Sequence, residues 1–414
     1  MADPDTLPVS SGGWRHALRA LRQRNFRLYW FGQIISQTGV WMQIVAQGWL
    51  VYRLTDSPLM LGLVNFVALV PVVPVSLLAG VLSDRLPRRK LMIVTELVLM
   101  LQAIVTAGLI WSGRVQIWHL MVLSFILGAA AALEQPARLA FVVDIVGKED
   151  LTNAVALNSS VYNVARIVGP AIAGVLVAWI GEAGCFLMNG VTYLAVIAAL
   201  LFIRVPPYRR PEQSLRVVGG LVAGFRYTWG TKLIRELLLI VALASFLTLP
   251  YITLMPVFAA DVLAAGPEGL GFLMTSVGIG AIGGALLVAS LRSGRRGRWL
   301  IYANLAGPLF LLVFTLSRNF VLSMVMVLLV GASNAVRQTL ANSLIQLTAA
   351  DEFHGRVMSI FNLLFNGMSR LGALGIGSLA EFSGAPWALG CAALICVMIS
   401  FIICWRMPEI KQIQ

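Results

Sequence analysis

The polar residues of this sequence that could do chemistry stand inside long apolar runs. Between Phe26 and Tyr52 come Gln33, Ser36, Gln37, Gln43 and Gln47, which at helical spacing share one broad arc and would line a wet face. Between Asn153 and Ile180 come Asn158, Tyr162, Asn163 and Arg166, and between Val357 and Ala380 come Asn362, Asn366, Ser369 and Arg370. Each arginine follows the start of its run by 13 residues, roughly 20 Å along a helix. A guanidinium near the centre of a bilayer costs about 2.5–3.5 kcal/mol on insertion scales, so it must face protein or water. Two uses fit such a pair: holding an anionic or carbonyl-rich ligand, or pairing internally with Glu96 or Glu134. Gln37, Gln47, Asn163, Arg166, Asn366 and Arg370 are the candidate lining of a central cavity.

Glu96 and Glu134 are the only carboxylates clearly inside apolar runs, which makes them candidates for proton carriage. A carboxylate that alternates between a dry site and a wet or arginine-bearing one can load and release a proton. At about 100 mV one inward proton supplies roughly 2.3 kcal/mol, enough for about a fifty-fold gradient of a neutral solute. Glu134, beside Pro136 and Arg138 near the end of its run, also fits a plain gate charge. Catalytic constellations are poorly supported. His16, His119 and His354 are scattered, and Cys185, Cys391, Cys396 and Cys404 lie in apolar stretches without metal-ligand spacing. No metal and no cofactor is expected, and without a Gly-x-x-x-x-Gly-Lys-Ser/Thr pattern direct ATP use is not expected either. A membrane enzyme acting on lipids would need a His/Asp/Glu or Ser/His cluster at one membrane face, and these histidines do not supply one.

The elements that must position these residues follow from composition. Of 414 residues, 59% are hydrophobic and 12% charged, against about half and a quarter in soluble domains. A water-soluble fold could not cover that apolar surface, and a disordered chain would not contain it. Twelve runs are long enough to span a bilayer, a span needing about 20 residues. Six fall in residues 26–203 and six in 233–405, separated by a charged linker, 204–232. In the linker, Leu215, Val218, Leu221, Val222, Phe225 and Trp229 recur at helical spacing beside Arg216 and Arg226, predicting a helix on the membrane surface. Trp14, Leu18 and Leu21 predict a shorter one in residues 1–25, and residues 406–414 form a tail. The first long run is too long and too polar for a signal peptide.

Charge sets the orientation. With this span assignment, 26 of the 31 Lys and Arg residues fall on the side of the N-terminus and 3 on the other (Arg53, Arg114 and Arg318). The positive-inside bias then puts both termini in the cytoplasm. It also accounts for the net charge of +13 without nucleic acid as a partner.

The two halves repeat. A shift of 209 residues pairs Pro58 with Pro267, Gly62 with Gly271 and Arg89 with Arg298, and a shift of 203 or 204 pairs Asn158 with Asn362, Asn163 with Asn366, Arg166 with Arg370 and Gly181 with Gly384. Duplicated six-helix halves place a binding site at their interface, near the bilayer midplane.

Two motifs sharpen this. Gly80-Val-Leu-Ser-Asp84-Arg85-Leu-Pro-Arg88-Arg89-Lys90 resembles the loop motif between helices 2 and 3 of the major facilitator superfamily, with Pro87 where the family commonly has Gly. Arg166-Ile-Val-Gly169-Pro170-Ala-Ile-Ala-Gly174 is similar to the Gly-Pro-x-x-x-Gly motif of its exporters. Trp41 to Trp49, Gln135 to Arg138 and His354 to Met358 resemble the enterobactin-exporter-like and macrolide-efflux-like branch, the transmembrane secretion effectors. The resemblance runs from about Asn25 to Trp405. It implies that Asp84 caps a helix of the other half while Arg85 joins a charge network holding one face shut, a reasonable use of a helix terminus. Gly80, Arg88 and Arg89 complete that gating motif, although the basic residues would also serve simply to fix topology. Gly169, Pro170 and Gly174 would let helices approach and pivot. Val40 stands where some efflux relatives carry Asp.

The expected fold is an all-α membrane protein with twelve transmembrane helices in two pseudo-symmetric six-helix bundles, in a bacterial inner (plasma) membrane. The expected function is secondary active transport, a proton-coupled exporter of a small amphipathic or anionic organic compound acting as a monomer, with an uptake permease of the same fold as the alternative.

Overall fold

The computed structural model describes residues 19–72, 74–76, 79, 86–147, 149–204, 217–291 and 296–406. The N-terminal half holds α1 (Arg24–Thr55), α2 (Pro58–Leu69), α3 (Arg88–Trp111), α4 (Ile117–Val146), α5 (151–180) and α6 (182–202). The C-terminal half holds α7 (Lys232–Val262), α8 (Gly266–Ser290), α9 (Arg296–Leu316), α10 (Phe320–Thr348), α11 (His354–Ser383) and α12 (Ala385–Arg406). The protein is an all-α membrane protein. Among the described residues nine helical runs, with α5 and α6 continuous, are long and apolar enough to cross a bilayer. The two outside that set are α1 and α11, which carry the polar stripes.

Local chemistry sets the junctions. The Ser57 hydroxyl accepts from the Met60 N–H, and Pro58 opens α2, where its missing N–H costs nothing. Asn319 caps α10 in the same way, accepting from the Leu322 N–H. Gly181 breaks α5 from α6 with φ 71°, and its repeat partner Gly384 separates α11 from α12 with φ 82°. Only glycine adopts these positive-φ conformations at little strain.

The linker helix, Val217–Gly230, docks on the loop before α11. Tyr227 stacks on Phe353 with ring centroids 4.4 Å apart, while Phe225 and Trp229 stay exposed. In the N-terminal segment, Arg19–Arg22 is a single 3-10 turn, tied to Asp150 at 2.8 Å. Trp14 and Leu18 lie outside the described residues.

The halves meet along two helix pairs, α2 with α11 and α5 with α8. The buried core is distributed unevenly along them. On the face opposite the basic loops one hydrophobic cluster takes side chains from all twelve helices, from Leu50 and Leu61 through Phe258 and Leu273 to Leu389. On the basic face there are two separate clusters. One, around Tyr29, Phe141 and Leu200, belongs to the N-terminal half. The other, around Leu237, Leu340 and Phe361, belongs to the C-terminal half. Among the described residues the core is thus shared by both halves at one end and split between them at the other.

Candidate central binding site

A cavity of about 240 Å³ lies between the halves. Its walls come from α1 (Gln43, Gln47), α2 (Asn65), α4 (Ser124) and α6 (Tyr193) on one side, and from α7 (Thr253), α8 (Met274) and α11 (Arg370) on the other. Most of the lining is apolar, and Arg370 is its one charged residue. A mainly apolar pocket with a few fixed polar groups is the usual form of a small-molecule site.

The amides are held in place rather than loose. Gln47 Nε2 donates to Ser124 Oγ at 2.9 Å, and Gln43 Nε2 donates to Gln102 Oε1 at 3.1 Å while its oxygen accepts from Asn189. Gln102 and Asn189 are buried partners that sequence inspection does not single out, because a lone amide in an apolar run does not show what it faces.

The six predicted lining residues divide. Gln47 and Arg370 line the cavity, whereas Gln37 is half-buried on α1 and is not part of its wall. Asn366 is exposed on α11, its amide donating to Asn362 O at 3.0 Å. Arg166 Nη2 donates to Asn163 Oδ1 at 3.2 Å, and its buried Nε has no hydrogen-bond partner. Neither Arg166 nor Arg370 forms an ion pair with Glu96 or Glu134 among the described residues.

Glu134 pairs instead with Arg138, at 3.4 Å and one helical turn away. Arg138, counted in the sequence among the charges of the basic side, lies inside α4 near its end, with its guanidinium 5.2 Å from the Tyr162 ring centroid. Glu96 is buried, and its Oε2 has no hydrogen-bond partner. Tyr29, Tyr162 and Tyr193 all lie within electrostatic reach of the two glutamates. The result is a buried polar cluster inside the N-terminal half.

Of the gating motif, Gly80, Asp84 and Arg85 lie outside the described residues. Arg88 pairs with Asp144 of α4 at 2.7 Å, and Arg89 donates to Leu201 O at 2.7 Å, so both contacts stay within the N-terminal half. The small-residue motif packs two ways. A Cβ on Gly169 would meet Trp41 Cβ at 2.5 Å on α1, and one on Gly174 would meet Gly271 Cα at 2.9 Å on α8. Pro170 has no N–H to offer the carbonyl of Arg166 four residues earlier. That oxygen faces α8, 2.9 Å from where a Cβ of Gly278 would stand.

The shut face carries polar ties of its own. The Tyr52 hydroxyl donates to Asp261, Ser57 Oγ donates to Glu381 Oε2 at 2.6 Å, and the Leu59 N–H donates to the same oxygen at 3.2 Å. Each joins one half to the other.

Residues 15–414 match the family model described as transmembrane secretion effector. The chain belongs to that family. A relative from Staphylococcus aureus named staphyloferrin A transporter is 26% identical over 381 residues, covering 90% of this chain and 94% of its own. The multidrug efflux pump Tap of Mycolicibacterium fortuitum is 25% identical over 395 residues, 93% of this chain and 96% of that protein. Among solved structures, a bacterial homologue of the human lysosomal transporter Spinster, inward-facing and unoccupied, aligns with TM-score 0.73 at 12% identity over 97% of this chain and 98% of that one. At that identity the likeness shows the fold alone. This transmembrane secretion effector is a multi-pass bacterial membrane protein and a transporter of the major facilitator type, and small molecules are the substrates its relatives' names specify.

Proposed function

We propose that the chain is a proton-coupled exporter of a small amphipathic or anionic organic compound, working as a monomer by alternating access with both termini in the cytoplasm. The observation that carries this is the uneven core: one cluster from all twelve helices on one face, two half-specific clusters on the basic face. Interfaces of this kind have two discrete packings rather than a continuum. With the basic face cytoplasmic, the split core there corresponds to the state that loads cargo from the cell.

In this reading the apolar wall of the central cavity takes the body of the compound. Gln47 and Arg370 orient its polar groups, with Gln37, Asn163, Arg166 and Asn366 along the path. Glu96 carries the proton and the Glu134–Arg138 pair tunes it. A buried carboxylate with an unpartnered oxygen is suited to hold a proton in one state and release it when its surroundings are wetted in the other. The export direction is taken from the multidrug efflux pump among the relatives.

The test is uptake of a compound panel (siderophores, macrolides and aromatic carboxylates) into inside-out vesicles, with and without an imposed proton gradient. Accumulation that needs the gradient supports the proposal. Equal accumulation in vesicles lacking the protein would refute it.

A further inference from the structure

We propose that Arg166, Tyr251, Asn334 and Arg337 form an anion subsite between the halves, taking a carboxylate or similar oxyanion group of the cargo. This deepens the transport proposal and rests on it. Arg337 is 3% exposed and lies well inside α10. It makes one hydrogen bond, Nη2 to Asn334 Oδ1 at 2.7 Å. Its electrostatic neighbours are Tyr251 and Cys396, and that of Arg166 is Tyr251 again. Tyr251 is itself buried and faces Asn334. Neither guanidinium has a carboxylate among these neighbours.

Two further donors point the same way. Arg166 Nε is buried without a hydrogen-bond partner, and buried Asn334 Nδ2 has only a poorly placed contact with the Tyr251 hydroxyl. Buried donors are normally satisfied, and a buried cation lacking a counter-charge is costly. A group with negative oxygens would satisfy both nitrogens and both charges at once, with planar guanidinium geometry suited to carboxylate.

The repeat makes the asymmetry plain. Ile117 of α4 and Phe320 of α10 begin their helices at an offset of 203, which puts Arg337 at the position of Glu134. In the N-terminal half the charge at this position is neutralised by Arg138 one turn away; in the C-terminal half no protein acid does so among the described residues. Arg166 comes from one half, while Tyr251, Asn334 and Arg337 come from the other. An anion held here would bridge the halves across the α5–α8 contact.

The experiment is equilibrium binding of 4-phenylbutyrate and its uncharged amide, 4-phenylbutyramide, to the purified full chain, as wild type and as Arg337→Gln, Arg337→Lys, Asn334→Ala and Arg166→Gln. The expected result is that the anion binds at least about tenfold more weakly to Arg337→Gln and Arg166→Gln, the size of one lost charge-assisted hydrogen bond. The amide should change little, and Arg337→Lys should recover part of the anion's affinity. Should Arg337→Gln fail to fold, Asn334→Ala and Arg337→Lys still give the comparison. Anion affinity unchanged in the folded variants, or equal losses for anion and amide, overturns the subsite. Vesicle transport of the panel is measured in parallel. Gradient-driven accumulation with unchanged anion binding overturns the subsite alone, and intact charge-selective binding without any transport overturns the exporter proposal while supporting the subsite.

Discussion

Tyr52 and Asp261 stand 209 residues apart, the offset that superposes the two repeats, and the hydroxyl of one donates to the carboxylate of the other. Each half contributes its end of the same hydrogen bond from an equivalent position, close to the axis that relates them. The bond sits on the face where all twelve helices share a core. A contact on a pseudo-symmetry axis must be made or broken by any motion that rocks one half against the other.

Asp261→Asn should therefore favour the state in which this face opens. Loss of a hydrogen bond to a charged acceptor is about 1.5–3 kcal/mol, enough to move a two-state balance roughly ten- to a hundred-fold. Labelling of a cysteine placed beside Tyr52, with unchanged rates in Tyr52→Phe and Asp261→Asn, would show the pair to be incidental.

Gly271 is the tightest point of the α5–α8 contact: a Cβ there would lie 2.7 Å from both Gly174 Cα and the Pro170 carbonyl. Both atoms are backbone and cannot rotate away. Gly271→Leu should destabilise the shut face by about 1–3 kcal/mol, the usual range for overpacking, and lower the melting temperature of the purified protein. A melting curve identical to wild type would contradict the closeness of this contact.

How far the sequence revealed the structure depended on the kind of residue. The repeat was visible because Gly181 and Gly384 both adopt positive φ, so each copy keeps a residue type that the backbone requires. The twelve helices were visible because lipid demands long apolar runs. Side-chain partners were not. The sequence counts Arg138 and Arg337 only as charges of the basic side, and it does not show that each is held within its helix, one by Glu134 and one by Asn334. Gln102, Asn189 and Asp261 gave no pattern, since their meaning lies in residues 59, 146 and 209 positions away. The candidate site was legible as a set of polar helix faces, and its division into an interhalf cavity and a buried polar cluster within one half was not.

Removing Arg138 should leave Glu134 buried beside Glu96 without its cation. Arg138→Gln should destabilise the protein by a few kcal/mol, about the cost of stranding one member of a buried pair, and adding Glu134→Gln should restore most of it. Thermal unfolding of the two single variants and the double variant checks this. A double variant no more stable than Arg138→Gln alone would rule out the pair as the source of the cost.

Among the described residues Arg370 is the only charge on the wall of the central cavity. Arg370→Gln keeps hydrogen-bonding capacity and loses charge, so an anionic compound should bind roughly ten- to a hundred-fold more weakly while a neutral analogue changes little. Titration of wild type and variant with both compounds decides it; equal losses would make Arg370 a structural residue.

The central claim is that cargo and proton move in opposite directions through one alternating protein, and reconstituted liposomes loaded with a pH-sensitive dye test it most directly. A transported compound, chosen to carry no group that titrates near neutral pH, is added on one side. The account predicts that wild-type protein moves protons the other way as the compound crosses. In Glu96→Gln binding should persist while this exchange disappears. Compound movement without any change in internal pH, or full proton exchange in Glu96→Gln, would contradict it.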